Sequence, residues 1–538
     1  MNPLLLADFY KTIHHNCYKP GLEKLVSYWT PRMSRIENID KVVIFGLQGF
    51  IKKYLIDYFN DNFFSKSKDE IISEYKRIIG NTMGAAYTDT YHIEKLHDIG
   101  YLPIEIKAVD EGTRIPIKVP AIQITNTHKD FPWLVNYLET LISCNIWTPM
   151  TSASIAYRYR EIINEYFEKT VENGNPRKAA GDFSMRGMTS PESAEISSAG
   201  HLLSFDGTAT IPSINWLEKY YNANCNNEIV GLGTPSTEHS VMSSWGKDDE
   251  LNCYKYLINK QFPDGPISIV SDTYDYWNVV TNYLNILKED IMARNGKVII
   301  RGDSGDPVDI ICGEDKFIRA ENKEKLEYFC KMKNGFGDHR YYGQTMDDGK
   351  YYIIDCDEYG VDFIDYQPTA AEKGTVECLW EIFGGTINSK GYKVLDPHIG
   401  TIYGDGITLQ RCADIYRRLE AKGFAVNNCT LGIGSFTYQY NTRDTFGFAL
   451  KATHSIVDGK EMHIFKDPAT DKDKFKKSQR GMCIVYKNEQ DEIVYKDQLS
   501  IAEAEANKEN LLTTVFKDGK IVKDDSLKDI KIRLHGDF

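Results

Sequence analysis

The chain has 538 residues, 42% hydrophobic and 26% charged, which is enough for a large core and two to three domains. Its net charge of −13 argues against general binding to nucleic acid or an anionic membrane, while leaving room for a local cationic pocket. Eleven scattered cysteines without a C-x-x-C pair point to reduced thiols in the cytoplasm, and to neither a disulfide framework nor a zinc site of that kind.

The first residues, MNPLLLADFYK, hold an apolar run too short for a signal peptide, and no segment nears the roughly 18 apolar residues that span a bilayer. A soluble intracellular protein is expected. DFYK (8–11) precedes a strand, Leu25 to Trp29, that leads into Arg32. Residues 45–59 are apolar at helical spacing and open after Gly46, and 67–98 read as helical. Residues 103–127 alternate apolar with polar and are punctuated by Gly and Pro, so several short antiparallel strands are expected there. Helix returns from Phe131 to Trp147. The first 150 residues thus form a β-rich lobe with flanking helices.

From Thr151 the pattern changes. Thr151 or Ser152 is positioned to cap a new helix, Ile155 to Val171. DFSMRGM (182–188) precedes Ser190-Pro191-Glu192, a helix start with Pro in the first turn. Glu238-His239 sits in a Ser/Thr-rich turn. Residues 266–307 make a strand–helix–strand unit: Ile267 to Val270 ends in Ser271-Asp272, and Val298 to Ile300 ends in Arg301-Gly302-Asp303. Trp277, Val280, Tyr283, Leu284, Leu287 and Ile291 give the intervening segment a helical period. Such a unit implies a parallel sheet, with both Asp residues at the carboxyl end where ligands bind. A strand ending in Gly404-Asp405-Gly406, a helix from Thr408 to Lys422, and a strand running into Gly434-Ser435 continue the alternation. The fold class is α/β, an α/β barrel or doubly wound sheet over 151–446. Residues 309–396, rich in Tyr, Asp and Gly, break the rhythm and read as an inserted subdomain. Strand alternation resumes in 447–538, which is expected to fold back on the N-terminal lobe.

Arg301 beside Asp272 and Asp303 suits an anionic, metal-bound substrate; a surface turn rich in Asp and Gly is the plainer alternative. Arg186, Arg301, Arg443, Lys451, Lys466 and Lys474 recur at strand or loop ends, as cations around phosphates would, although Lys and Arg are common on any surface. Gly432, Gly434 and Ser435 offer backbone N–H groups to an anion. His239 is a candidate general acid/base or phosphoryl acceptor, and Phe183 could stack on a flat ring or simply fill core.

In order along the chain, DFYK, SYWTPR, FGLQ, LPIEIKAVDEG, DFSMRG, TEHSVMSSWGKD, SIVSDTYD, IIRGDSGDP, GDG, GIGSFTYQYNTRD and IFKDP together resemble the nicotinamide phosphoribosyltransferase family. The resemblance runs from Asp8 to about residue 520. It implies a type II phosphoribosyltransferase: an irregular α/β barrel beside a β-rich lobe, working as a homodimer. The implied reaction joins nicotinamide to phosphoribosyl pyrophosphate with Mg²⁺ and releases pyrophosphate, in NAD salvage. The resemblance further implies that Phe183 and the partner's Tyr10 sandwich the pyridine ring and that Arg301 holds the amide. Asp303 and Asp272 would be the metal residues. Ser268, Arg186, Gly404, Asp405, Gly434 and Ser435 would bind the base, ribose and 5′-phosphate. Arg443 and Lys474, with the partner's Arg32, the partner's Lys451 and the partner's Lys466, would surround phosphates. His239 would be the histidine that ATP phosphorylates. Two positions depart from the family pattern: Ala209 stands where an Asp contacts the amide, and Gly233 replaces a Ser near the ring. Nicotinate phosphoribosyltransferase and a silent nucleotide-binding relative therefore stay as alternatives.

Overall fold

The computed structural model describes residues 1–334, 339–357, 359–466 and 479–536. Six short apolar segments form one parallel sheet: β1 (Ala180–Asp182), β2 (Gly207–Thr208), β3 (Ile267–Val270), β4 (Val298–Gly302), β5 (Ile399–Tyr403) and β6 (Cys429–Ile433), in the order β2-β1-β6-β5-β4-β3. Every residue of β3 is buried, as expected of a strand covered on both faces. The two sheet edges do not remain free. The extended stretch 232–237 pairs Leu232 with Gly207 at one edge and Ser236 with Ser268 at the other, both in parallel sense. Thr208 N donates to Leu232 O at 2.9 Å and Thr237 N to Ser268 O at 2.9 Å. This closes the ring into an irregular α/β barrel and satisfies the edge groups.

The expected helix start at Thr151 or Ser152 is overturned. One helix runs Glu139–Thr170 with Pro149 inside it, so the two helices expected around Thr148–Ser154 are continuous. Tertiary packing overrides the helix-breaking tendency of Pro. Thr151 and Ser152 are buried, and Ser152 Oγ bonds Ser197 Oγ at 2.7 Å instead of capping. Helix Pro191–His201 packs so closely on this turn that a Cβ on Gly200 would lie 2.8 Å from Pro149 O.

The β-rich lobe is a seven-stranded sheet built from both ends of the chain. Its long strand Leu22–Thr30 pairs antiparallel with Ala449–Val457 on one side and with the central strand Ile122–Asn126 on the other. Farther out, Thr513–Lys517 pairs with Ile104–Ala108. The inserted segment is narrower than 309–396. Its own four-stranded sheet spans Phe317–Ala320 to Val361–Tyr366, with helix Lys323–Asn334 and a separate small core around Leu326, Cys330 and Ile354. The flanks belong to the barrel: Thr375 Oγ1 donates to Ile310 O at 2.7 Å and meets Tyr276 Oη at 2.9 Å.

Candidate active site

The strand ends open into a cavity of about 910 Å³. Its walls carry Phe183, Arg186, Ser268, Arg301, Asp303, Gly404, Asp405, Gly434 and Ser435, nine positions singled out by the sequence. Phe183 leaves β1 and is tied to β6 by its N–H, which donates to Ile433 O at 2.9 Å. Its ring lies against Gly432, where a Cβ would come within 2.6 Å of it. Arg186 sits in the short turn Met185–Gly187. A Cβ on Gly187 would meet Ser435 Oγ at 2.0 Å, so that turn is pressed onto the loop after β6.

Asp303 is the electrostatic centre. Arg301 Nε lies 3.2 Å from its Oδ1, and its backbone N–H donates to Asp272 Oδ2 at 3.1 Å. Burial raises the Asp303 pKa, with Arg301 opposing the shift and Asp272 adding to it. Asp272 Oδ1 is buried without a hydrogen-bond partner, while Asp303 Oδ1 has the Arg301 ion pair. His239 Nε2 lies 3.7 Å from Asp272 Oδ1 and 3.8 Å from Asp303 Oδ2, while its Nδ1 is 3.1 Å from Thr273 Oγ1. The three residues bring one donor atom each within 4.8 Å of one another, a set able to hold a divalent cation.

The remaining expected residues lie elsewhere. Tyr10, Arg32, Arg443, Lys451 and Lys466 do not line the cavity. Arg443, expected beside the barrel residues of its own chain, belongs with the lobe cations. Burial lowers the Lys451 pKa; Glu139 opposes this, and Arg32, Lys466 and Arg443 add to it by repulsion. The strand register brings this about, since Tyr28 pairs with Lys451 and Arg32 N donates to Phe446 O at 3.0 Å. Tyr10 stands nearby, half exposed, its neighbour Lys11 held by Glu139 at 2.6 Å. Lys474 lies outside the described residues.

Sequence reasoning missed Lys178 and Ser236, both on the cavity wall, and Asp182 behind it. The fully buried Asp182 accepts from Thr210 Oγ1 at 2.7 Å, Thr208 Oγ1 at 3.3 Å and Ser184 N at 3.0 Å, fixing the loops on either side of Ala209. Its place as the last residue of a short apolar strand, like Asp272 after β3, was the available signal.

A model of the nicotinate phosphoribosyltransferase family matches residues 179–520, more than half of the chain and all of the barrel. The chain belongs to the nicotinate phosphoribosyltransferase family. It is a phosphoribosyltransferase, a pentosyl-transferring enzyme. Residues 2–106 match the N-terminal domain of nicotinamide phosphoribosyltransferase. Among curated family members, a nicotinamide phosphoribosyltransferase of Acinetobacter baylyi is 40% identical over 99% of this chain and 97% of its own. One of Xanthomonas campestris pv. campestris is 29% identical over 100% and 98%. In three dimensions the chain is similar to the nicotinate-nucleotide pyrophosphorylase of Pyrococcus furiosus, with a TM-score of 0.50 at 13% identity over 98% of this chain and 93% of that one. The shared fold is the type II phosphoribosyltransferase architecture of barrel and lobe.

Proposed function

We propose that this phosphoribosyltransferase takes nicotinamide as its base and phosphoribosyl pyrophosphate as its sugar donor, forming nicotinamide mononucleotide and pyrophosphate for NAD salvage. The observation that carries this reading is the cavity that sets an aromatic platform, Phe183, beside Arg301 and the Asp272–Asp303 pair. The platform orients a flat neutral ring and tolerates the positive charge it gains on alkylation. The two carboxylates stabilise the cation-like sugar as the bond to pyrophosphate breaks. Arg186, Gly434 and Ser435, gathered on one wall, form the cradle for the 5′-phosphate.

Mg²⁺ fits Asp272 and Asp303, with the buried, unpartnered Asp272 Oδ1 as one oxygen that would hold it; when bound it would offset charge on the leaving pyrophosphate. ATP enters as a co-substrate that phosphorylates His239. Half-exposed, with Nε2 facing both carboxylates, this side chain is open to solvent yet in contact with the site. A homodimer is the reading that the second cluster supports. Tyr10, Arg32, Lys451 and Lys466 lie off the cavity of their own chain, and a head-to-tail pair would let each lobe complete the other subunit's barrel. The cytoplasm suits the cysteines, none of which forms a disulfide.

Nicotinate is the second reading, favoured by one observation: the wall formed by Thr208, Ala209 and Gly233 carries no acid to repel a carboxylate. Separate reactions with phosphoribosyl pyrophosphate, Mg²⁺ and either base decide between them. Nicotinamide mononucleotide as the dominant product supports the proposal; equal or faster turnover of nicotinate overturns it.

A further inference from the structure

The 3-10 helix Phe9–Asn16 meets the start of helix Tyr91–Ile99 at a cluster remote from the barrel chemistry. There His15, Asp89 and His92 bring three donor atoms within 4.8 Å of one another. His15 Nδ1 lies 3.0 Å from Thr12 O. A carbonyl only accepts, so Nδ1 carries the proton and Nε2 of the neutral ring is a bare lone pair. That lone pair stands 3.5 Å from Asp89 Oδ2, another acceptor. Asp89 Oδ1 is occupied by the Tyr91 N–H at 3.1 Å, which leaves Oδ2 for the cluster. His92 is only 8% exposed, yet neither of its ring nitrogens has a hydrogen-bond partner. A buried imidazole with both nitrogens unpaired is costly and calls for an explanation.

A second proton on His15 would settle its contact with Asp89 but would leave His92 unpaired. A divalent cation settles both. We propose that His15, Asp89 and His92 form a site for a borderline divalent cation of the zinc class, with water completing a four-coordinate set. Thr12 O then plays the part usual behind a metal-bound histidine, holding the far N–H and so the tautomer. Coordination requires movement. The two rings stack at 3.6 Å with planes 17° apart, so one must turn until the lone pairs converge. The donors then draw in to about 3–3.5 Å from one another, the edge of a tetrahedron with bonds of ~2.0–2.1 Å. The 3-10 helix that would be tied down carries Tyr10 and Lys11, so the cation would anchor the aromatic residue expected to serve the partner's site. The site itself stands independently of the base or the reaction.

The test is zinc titration of the untagged full-length chain after chelator dialysis, with excess Mg²⁺ present to occupy the barrel carboxylates. The wild-type chain should bind one more zinc per chain than the His15→Ala/His92→Ala variant, measured by calorimetry and elemental analysis. Asp89→Asn, which leaves both rings in place, should weaken that site at least ~10-fold and serves as the comparison if the double variant fails to fold. Equal zinc binding by wild type and Asp89→Asn, or by wild type and a folded double variant, overturns the proposal. So does a His15 ring that titrates as an imidazolium–Asp89 pair, by NMR, without responding to zinc.

Discussion

Gly432 has no room for a methyl group. A Cβ there would sit 2.6 Å from the Phe183 ring and 2.8 Å from Tyr403 O, and the backbone side of that vice cannot yield. Gly432→Ala should therefore push Phe183 off its seat at a stability cost of about 1–3 kcal/mol. The expected kinetic signature is a KM for the base raised at least ~10-fold, since about 1.4 kcal/mol of lost stacking suffices. An unchanged KM in a folded Gly432→Ala variant would show that Phe183 is not the base platform. Gly404 is constrained in the same way, because a Cβ would lie 2.2 Å from Asp303 Oδ1. Asp303→Ala should abolish turnover while the chain stays folded, checked by product formation alongside thermal unfolding; near-normal activity would remove Asp303 from the chemistry. These residues were legible chiefly through the ordered motifs that resemble the family, since Gly and Asp at strand ends also serve ordinary turns. Asp182 carried only its place at a strand end as a signal; what marks it is three side-chain and backbone donors that the fold brings to one carboxylate.

At the scale of elements, Glu111 shows how one buried carboxylate organises a helix start. Its two oxygens accept from Gly46 N at 3.2 Å and Gln48 N at 2.7 Å, capping the helical run that begins Leu47–Phe50 from a loop about 60 residues away in sequence. Burial nevertheless raises its pKa to about 7. An acid whose folded pKa lies above its unfolded value binds its proton more tightly in the native state. Its contribution is therefore most favourable below the unfolded pKa of about 4.5 and is lost as pH rises toward 7. The Glu111 contribution to stability should decline by on the order of 3 kcal/mol across that window. In Glu111→Gln this slope should flatten, read from unfolding midpoints between pH 4.5 and 7. An identical slope in the variant would place the titration elsewhere. The long helix shows where local rules failed. Thr151 and Ser152 read as the cap of a new helix, yet burial and the close seat of Gly200 keep Glu139–Thr170 continuous through Pro149.

At the scale of the molecule, the chain holds two separated halves of what the proposed chemistry needs. The barrel carries the base platform and the carboxylates. The lobe carries Tyr10 and the cations Arg32, Lys451 and Lys466. If each lobe serves the other subunit, chains bearing Tyr10→Ala and chains bearing Asp303→Ala should complement one another. Random 1:1 pairing gives half heterodimers, each with one intact site, so activity should recover to about a quarter of wild type. No recovery after mixing and reassociation would mean that each chain works alone.

Much was settled by the sequence itself. Short apolar strands ending in Asp and Gly, alternating with helices, specify a parallel α/β fold, barrel or doubly wound sheet, and the end at which its site lies, because hydrophobic period and strand direction are local properties. The ordered motifs specified the family, since so many functional residues cannot recur in register by accident. Only the tertiary structure decided that 232–237 closes the ring, that Arg443 sits with the lobe rather than with the barrel cavity, and that His15, Asp89 and His92 meet. Each of these depends on which distant segments become neighbours. That is set by packing and strand register across the whole chain, which no local window contains.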